Sequence, residues 1–173
     1  ARALLNGIER LKDAQTKAHN DIKDTLKRQL DEIEHANATS NSKAQAKQMV
    51  NEEARKAFSN INHATSNDLV NQAKDEGQSA IEHIHADELP KAKLDANQMI
   101  DQKVEDINHL ISQNPNLSHD EKNKLISQIN KLVNGIKDEI QQAINKQQIE
   151  NATTKLDEVI ETTKIGRAHV WTP

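Results

Sequence analysis

Apolar residues recur at every third or fourth position along most of the chain, and this spacing places them on one face of an α-helix. The first run predicts a helix from about Arg2 to Ala36. Its inward face consists of Leu4, Ile8, Leu11, Ala14, Ala18, Ile22, Leu26, Leu30 and Ile33. Polar residues 37–42 form a breaker cluster, so the helix is expected to end there.

Two further helices are predicted by the next apolar rows. The second helix places inward the residues Ala46, Val50, Ala54, Ala57, Ile61 and Ala64. A short turn near residues 63–66 follows, in which Ser66 or Asn67 can cap the third helix. The inward residues of the third helix are Val70, Ala73, Gly77, Ala80 and Ile84. Three amphipathic helices can bury their apolar faces against each other, which predicts a three-helix bundle.

The same pattern is then used a second time. Residues 30–33 (LDEI) align with residues 104–107 (VEDI), an offset of 74, and after the first turn the offset becomes 79. The later offset pairs Val50, Ala54, Ala57 and Ile61 with Ile129, Val133, Ile136 and Ile140. In the second copy, residues 114–116 (NPN) stop the first helix, and Ser118 with Glu121 forms a capping box for the next. Apolar positions agree while surface positions differ, which is typical of an array of similar units.

The junction between the copies contains Pro90, which is tolerated in the first turn of a helix. We therefore expect little or no loop there. The sequence predicts an all-α fold of two tandem three-helix bundles, residues 1–87 and 88–164, joined end to end by a near-continuous helix into an elongated rod. The first helix can overlap the end of an upstream repeat. Because the chain begins with Ala1 instead of Met, we interpret it as a piece of a longer protein.

The last nine residues, 165–173 (IGRAHVWTP), break the preceding pattern and match one reading frame of a common sequencing adapter. We interpret them as a disordered assembly artefact and assign no function to His169 or Trp171. A genuine unstructured extension is the alternative.

Composition narrows the possible functions. Hydrophobic residues make up 34% of the chain and aromatic residues 1%, so the core is expected to consist of Ala, Ile, Leu and Val. The absence of Cys excludes disulfides, thiol catalysis and Cys-based zinc sites. A net charge of −4 argues against a nucleic-acid partner. No apolar run reaches the roughly 20 residues of a membrane span, and Ala-rich faces do not favour a membrane-surface helix.

Histidines and carboxylates are the candidate chemical groups, and neither predicts a site. On one helix, His83 and His85 would point in directions about 200° apart, so we interpret them as solvated rather than as metal ligands. His19, His35, His63, His109 and His119 have no partner at i+4 and no nearby Cys. Glu52–Lys56 and Asp120–Lys124 are interpreted as i,i+4 ion pairs. No catalytic, cofactor-binding or metal-binding residue is predicted, and partner-binding residues stay unassigned.

Gly77 and Phe58 each allow two interpretations. Gly77 lies on the inward row where the second copy has Leu156, so it marks either a close approach of two helices or a tolerated weak position. The weak position is slightly favoured. Phe58 lies beside the Ala54/Ala57 stripe, and we expect it to pack at the edge of the core instead of anchoring a ligand.

Residues 114–122 (NPNLSHDEK), followed by the apolar row Ile126, Ile129, Val133, Ile136 and Ile140, resemble the three-helix repeat of unknown function found in giant Gram-positive, staphylococcal surface proteins. Residues 5–14 are similar to the end of a neighbouring repeat type in those proteins. The resemblance implies a secreted, cell-wall-associated adhesin built from tandem bundles. The first copy departs from the family loop at residues 37–42. Residues 89–92 (LPKA) are not a sorting motif, so any wall anchor is expected elsewhere.

Two functions are compatible with these observations, and neither is enzymatic. The first is a structural spacer, or stalk segment, whose partners are the neighbouring repeats of the same chain. The alternative is a binding module for a host matrix or plasma protein such as fibronectin or albumin. The alternative predicts an exposed patch preserved in both copies, and the sequence shows none.

Overall fold

The computed structural model describes the backbone of residues 2–169 and the side chains of residues 2–161. These residues contain helices and no β-strand. The helices are α1 (Arg2–His35), α2 (Ser40–His63), α3 (Asn67–Glu82), α4 (Leu89–Ser112), α5 (His119–Gln142) and α6 (Lys146–His169). The predicted all-α class is therefore confirmed.

The chain divides into two compact units, Ala1–Glu88 and Leu89–Pro173, which are called unit 1 and unit 2. In unit 1, each of α1, α2 and α3 packs against the other two, and α4, α5 and α6 do the same in unit 2. Each unit is therefore a three-helix bundle with its own core, as the repeated apolar pattern predicts.

The core of unit 1 is rich in alanine. Its buried apolar residues are Ala18, Ile22, Ile33, Ala38, Ala46, Val50, Ala54, Ala57, Ile61, Val70, Ala73, Ile81 and Ala86. The core of unit 2 consists mostly of isoleucine. Its buried apolar residues are Ala96, Ile100, Ile107, Ile111, Ile129, Val133, Ile136, Ile140, Ala143, Ile149, Ala152 and Leu156.

Equivalent positions of α1 and α4 are offset by 78 residues, so the offset of 74 is wrong. The buried residues Ala18, Ile22 and Ile33 of α1 correspond to the buried residues Ala96, Ile100 and Ile111 of α4. The two offsets differ by four residues, about one helical turn, and such a shift keeps apolar residues on the same face. Periodicity alone therefore could not distinguish them. The later offset of 79 pairs the buried residues of α2 with those of α5.

The first turns of α1 differ from the prediction. Leu4 and Ile8 belong to the predicted inward row, but they are 74% and 60% exposed, and Leu5 is 59% exposed. Gln15 Nε2 donates a hydrogen bond to the carbonyl of Ile61 at 3.2 Å, so the end of α2 lies beside Gln15. Residues 2–10 precede Gln15 and extend past the end of α2, so no described helix of unit 1 covers their apolar face.

The predicted near-continuous helix between the units is interrupted at residues 83–88. Pro90 lies in the first turn of α4, as expected, but in a continuous helix its ring would clash with the carbonyl of Ala86. Side chains of α1 hold the interruption in place. Gln29 Nε2 donates to the carbonyl of Ile84 at 2.7 Å, and His85 Nδ1 lies 2.8 Å from Glu32 Oε1.

The helix α6 continues to His169, so the structure gives residues 165–169 a helical backbone. Residues 146–169 contain no proline, so nothing in them must end the helix. Residues 170–173, with Trp171, lie outside the described residues. The adapter origin of the last nine residues stays a prediction, which the source DNA can test.

Three helices begin at a hydroxyl cap. Thr39 accepts from the amide of Ser42, and Ser66 accepts from the amide of Leu69. At α5 the predicted capping box is confirmed: Glu121 N donates to Ser118 Oγ at 3.1 Å, and Ser118 N donates to Glu121 Oε1 at 3.4 Å.

Substituting Ser118 with Ala is expected to lower the free energy of unfolding of unit 2 by about 1 kcal/mol, because the amide of Glu121 loses the hydroxyl that accepts its hydrogen bond. Urea unfolding followed by circular dichroism measures the change. Ser127 is exposed within α5 and provides a matched control, since Ser127→Ala is expected to be neutral or slightly stabilising. Equal effects of the two substitutions would contradict the capping role.

Candidate functional site

The histidine pair that invited a metal-site interpretation does not lie on one helix. His83 is the cap residue at the end of α3, and His85 lies in the non-helical segment after it. The Nδ1 of His83 is 2.6 Å from the carbonyl of Ser79, whereas the Nδ1 of His85 contacts Glu32. Both side chains are exposed, as expected, but the helical geometry assumed for His85 is wrong. Side chains of the described residues form no group of three or more potential metal ligands.

Two other histidines also bind the carbonyl group of the residue four positions earlier. His35 Nδ1 is 2.9 Å from the carbonyl of Asp31, and His63 Nδ1 is 2.7 Å from the carbonyl of Ser59. Each lies at the last residue of its helix, where the final carbonyls have no partner within the helix. These contacts give the histidines a structural role.

Phe58 packs at the edge of the unit 1 core, as predicted. Its ring stacks on the imidazole of His19, with ring centroids 5.0 Å apart and an interplanar angle of 7°. His19 Nε2 donates to Asn62 Oδ1 at 2.7 Å, which fixes the imidazole between α1 and α2. The aromatic side chain therefore has a packing partner within its own unit.

Surface charges form ion pairs, although not those expected from sequence spacing. Lys56 pairs with Glu53 at 3.1 Å and not with Glu52. Asp120 and Lys124 form no ion pair in the part of the chain that the structure describes. In an exposed helix, pairs at i+3 and i+4 differ little in energy, so spacing does not select between them.

Among the described residues, the carboxyl group of Glu34 at the end of α1 has a clear electrostatic perturbation. A hydrogen bond from Lys47 of α2, together with the charge of Lys47, holds the pKa of Glu34 below its ordinary value of 4.5. The side chain of Glu34 is exposed, and that of Lys47 is partly exposed. This ion pair connects α1 with α2 on the wall of an open surface depression. Lys47 holds the carboxyl in its charged form, so the pair does not resemble an acid–base site.

Substituting Glu34 with Gln is expected to make unit 1 less stable at pH 7, and the difference should shrink toward pH 3. A carboxyl whose pKa is lowered by folding stabilises the protein above its ordinary pKa of 4.5 and loses that contribution as the pH falls through the folded value. Urea unfolding at both pH values measures the difference. Glu52→Gln is the matched control, and a gap that widens on acidification would contradict this account.

Gly77 marks a close approach of α3 to α2, so the favoured interpretation as a tolerated weak position is wrong. A Cβ atom added at Gly77 would lie 2.5 Å from the Cβ of Ala57 and 3.0 Å from the Cδ1 of Ile22. The Cβ of Ala57 is attached to the backbone of α2 and cannot move without it. Glycine is therefore required for this spacing of the two helices. The equivalent position in unit 2 holds Leu156, which is fully buried.

Surface depressions in the structure are open and differ chemically between the units. A depression of about 1040 Å³ runs along α1, with acidic and basic side chains of α1 and with Lys47 and Asn51 of α2 on its walls. Two smaller depressions, of about 280 and 340 Å³, lie between the second and third helix of each unit. Their equivalent lining residues are Asn60 and Glu139, His63 and Gln142, Leu69 and Gln148, and Gln72 and Asn151. The position recurs, but its side chains do not.

The features that do recur are hydrogen bonds from a side chain of one helix to the last carbonyls of another. Lys43 Nζ donates to the carbonyl of Glu34 at 2.7 Å, and the equivalent Lys122 Nζ donates to the carbonyl of Ser112 at 2.9 Å. Both lysines also place a positive charge at the negative end of a helix dipole. The sequence analysis did not predict these contacts. The sequence does contain a signal for them, because a lysine follows four residues after each of the cap residues Thr39 and Ser118.

A second recurring contact joins the first helix to the end of the second helix. Gln15 Nε2 donates to the carbonyls of Ile61 and Ala64, at 3.2 and 3.4 Å. At the equivalent position of unit 2, Lys93 Nζ donates to the carbonyl of Gln141 at 2.7 Å. The side chains differ, but both connect the same two helix ends.

A third contact joins the first and third helices and changes its chemistry between the units. Gln78 Nε2 donates to Thr25 Oγ1 at 3.0 Å in unit 1. The equivalent residues of unit 2, Lys103 and Asp157, form an ion pair. The recurring polar contacts therefore hold helices together and do not converge on a ligand site. No described helix is long and apolar enough to cross a membrane.

These tandem three-helix bundles belong to a protein family that is known by sequence. The family model described as Domain of Unknown Function (DUF1542) matches residues 14–89 and 92–167, and the chain is a member of that family. Both matches begin at equivalent positions with an offset of 78, the same offset that the buried residues show.

Three similar relatives are proteins of Staphylococcus aureus. The chain is 41% identical over 160 residues to the extracellular matrix-binding protein EbhA of strain Mu3, to the extracellular matrix-binding protein ebh of strain JH9, and to EbhA of strain Newman. The aligned region covers 92% of this chain but only 2% of the first two relatives and 5% of the third. The resemblance to a repeat region of a giant staphylococcal surface protein is therefore confirmed. No solved structure is significantly similar to the chain.

Proposed function

We propose that this chain is a structural spacer, a stalk segment of a repetitive bacterial cell-surface adhesin. The supporting observation is the distribution of identical residues between the two units. Aligned identical residues are core residues or the carbonyl-binding pair Lys43 and Lys122, apart from three exposed pairs. Those pairs are Asn37 and Asn116, Asn51 and Asn130, and Glu82 and Glu161. A shared core with a divergent surface is expected when the fold, and not a surface site, carries the function.

The location and partners in this proposal come from the relatives. Their name describes binding to the extracellular matrix, so we assign this segment to the cell wall or cell surface. Its immediate partners are neighbouring repeats of the same chain. No enzymatic role is proposed, because the perturbed carboxyl group of Glu34 is exposed and paired with Lys47, which lowers its pKa.

The second candidate function is binding to a host matrix or plasma protein, such as fibronectin or albumin. The relatives' name favours it, since they are called extracellular matrix-binding proteins. The divergence of the two equivalent surface depressions favours the spacer, because a ligand bound by both units needs the same lining residues in both.

A display experiment separates the two functions. A peptide epitope is fused ahead of residue 1, and zero, one or two copies of residues 1–164 are placed between it and a wall anchor on a Gram-positive cell. A spacer predicts that antibody access to the epitope rises with copy number. It also predicts the same rise for a variant in which Asn51 and Asn130 are both replaced by Asp. Access that is independent of copy number would contradict the spacer.

A binding measurement completes the comparison. Immobilised fibronectin and albumin are titrated with residues 1–164, and the spacer predicts no saturable binding at micromolar concentrations. Saturable binding at or below about 1 μM would favour the binding module instead. The elongated arrangement of the two units stays a prediction, which small-angle scattering of the same chain measures.

A further inference from the structure

The two bundles have the same topology but bury side chains of different size. At six equivalent positions in the second and third helices, unit 2 has the larger apolar side chain. The pairs are Ala46 and Leu125, Val50 and Ile129, Ala54 and Val133, Ala57 and Ile136, Val70 and Ile149, and Gly77 and Leu156. All six differences have the same sign, so at these positions unit 2 removes more apolar surface from water.

Buried polar residues occur in both units: Thr25, Gln29 and Ser42 in unit 1, and Asn114 and Thr153 in unit 2. The buried side-chain oxygens of Asn97 and Asn108 in unit 2 have no hydrogen-bond partner among the described residues. The difference that bears on the core lies at Gln29. Unit 1 buries Thr25 and Gln29 in the middle of α1, where Gln29 is equivalent to the buried Ile107. The amide of Gln29 and the hydroxyl of Thr25 are hydrogen-bonded, so neither is an unsatisfied group. Such groups are tolerated, but they contribute less to stability than the isoleucine that occupies the equivalent position of unit 2.

Close packing does not remove this difference. The contact at Gly77 shows that α2 and α3 approach each other where side chains are small, so the core of unit 1 is filled without large residues. A closely packed core of small side chains has no cavity that would lower its free energy of unfolding, but it buries less apolar area. We therefore expect the free energy of unfolding to be lower for unit 1 than for unit 2.

We propose that the two units form a graded extension device, in which unit 1 unfolds at a lower pulling force than unit 2. The inference rests on the proposed function as a stalk, because a segment between an anchor and a binding region carries tension. The units lie in series along one chain and share their topology, so both are loaded through equivalent helix ends. Under these conditions the order of unfolding follows the unfolding rates of the two bundles, and we expect the bundle with the smaller core side chains to have the lower barrier.

Single-molecule force spectroscopy on residues 1–164 tests the proposal. The chain is held at both ends, and the expected trace has two separate unfolding steps. Each step releases about 80 residues, and an extended chain gains at most about 3.5 Å per residue. A single step that releases both bundles together would overturn the proposal.

Two variants assign the steps to the units. Gly77→Ala is expected to lower the force of the weaker step only, because its steric conflict lies between α2 and α3. Leu156→Val removes one methylene group from the core of unit 2, and it is expected to lower the force of the stronger step only. The opposite assignment, or an equal effect of either variant on both steps, would overturn the proposal. Gly135→Ala is the control, since its added Cβ meets no atom within 4 Å and should not weaken either step.

Hydrogen exchange without force provides an independent readout. Amides of residues 46–61 in α2 are expected to exchange at least about tenfold faster than amides of residues 125–140 in α5. Equal protection, or greater protection of α2, would contradict the order of stability. Neither measurement depends on a ligand or on a cell. A failure here would therefore refute the graded device and leave the display experiment to decide the spacer function.

Discussion

Replacing Gly77 with Ala is expected to lower the free energy of unfolding of unit 1 by about 2 kcal/mol. The added Cβ would lie 2.5 Å from the Cβ of Ala57, and neither atom can move without its helix. Overpacking of this kind costs up to about 3 kcal/mol, whereas Ala gains about 1 kcal/mol over Gly in a helix. The steric cost is larger, so the usual benefit of replacing a helical glycine is reversed.

Urea unfolding of residues 1–164, combined with hydrogen exchange to locate the change in unit 1, measures this effect. Gly135→Ala in α5 is the matched control. It has no atom within 4 Å of its added Cβ, so it should gain about 0.5–1 kcal/mol. The double variant Ala57→Gly/Gly77→Ala should be more stable than the sum of the single effects predicts. A stabilising Gly77→Ala would show that the two helices are not in close contact.

Replacing Leu156 with Ala is expected to lower the free energy of unfolding of unit 2 by about 3–4 kcal/mol. Leu156 is fully buried, and it occupies the position where unit 1 has Gly77. In unit 2 the neighbouring core positions are filled by large residues such as Ile100 and Ile136, which hold the helices apart. The truncated side chain would therefore leave a cavity that the helices cannot close.

The measurement is again urea unfolding, with hydrogen exchange reporting on α5 and α6 separately from unit 1. Leu156→Met preserves most of the side-chain volume and should lower the free energy of unfolding by less than about 1.5 kcal/mol. It therefore shows whether the effect of Leu156→Ala comes from the lost volume. Loss of protection in unit 1 as well as unit 2 would contradict the independence of the two cores. A cost below about 1 kcal/mol would show that α6 can collapse onto α4 and α5.

The class of fold, the helix order and most of the core could be predicted from the sequence, because apolar spacing alone determines which residues share a helix face. The same property explains the error in the repeat offset. Shifting α4 against α1 by one turn exchanges Ile107 for Ile111 as the partner of Ile33, and both are buried on the same face. Only the neighbouring helices, through contacts such as those of Gln15 and Lys93, distinguish the two alignments.

Other features depend on distances that a single sequence does not contain. The exposure of Leu4 and Ile8 follows from where α2 ends, and not from their own spacing. The helix interruption at residues 83–88 depends on contacts from Gln29 and Glu32, which are more than 50 positions away in the chain. At Gly77, the choice between a weak position and a close approach required the position of Ala57. The absence of a predicted catalytic site, by contrast, rested on composition and motifs alone.

The contacts from Lys43, Lys122, Gln15 and Lys93 all end on oxygen atoms of the main chain. Every amino acid supplies such an oxygen, so the accepting residue can mutate freely while the bond persists. The donor needs only length and an N–H group, and a glutamine or a lysine serves equally well. Repeats assembled in this way can therefore lose most of their sequence identity during evolution without losing the alignment of their helix ends.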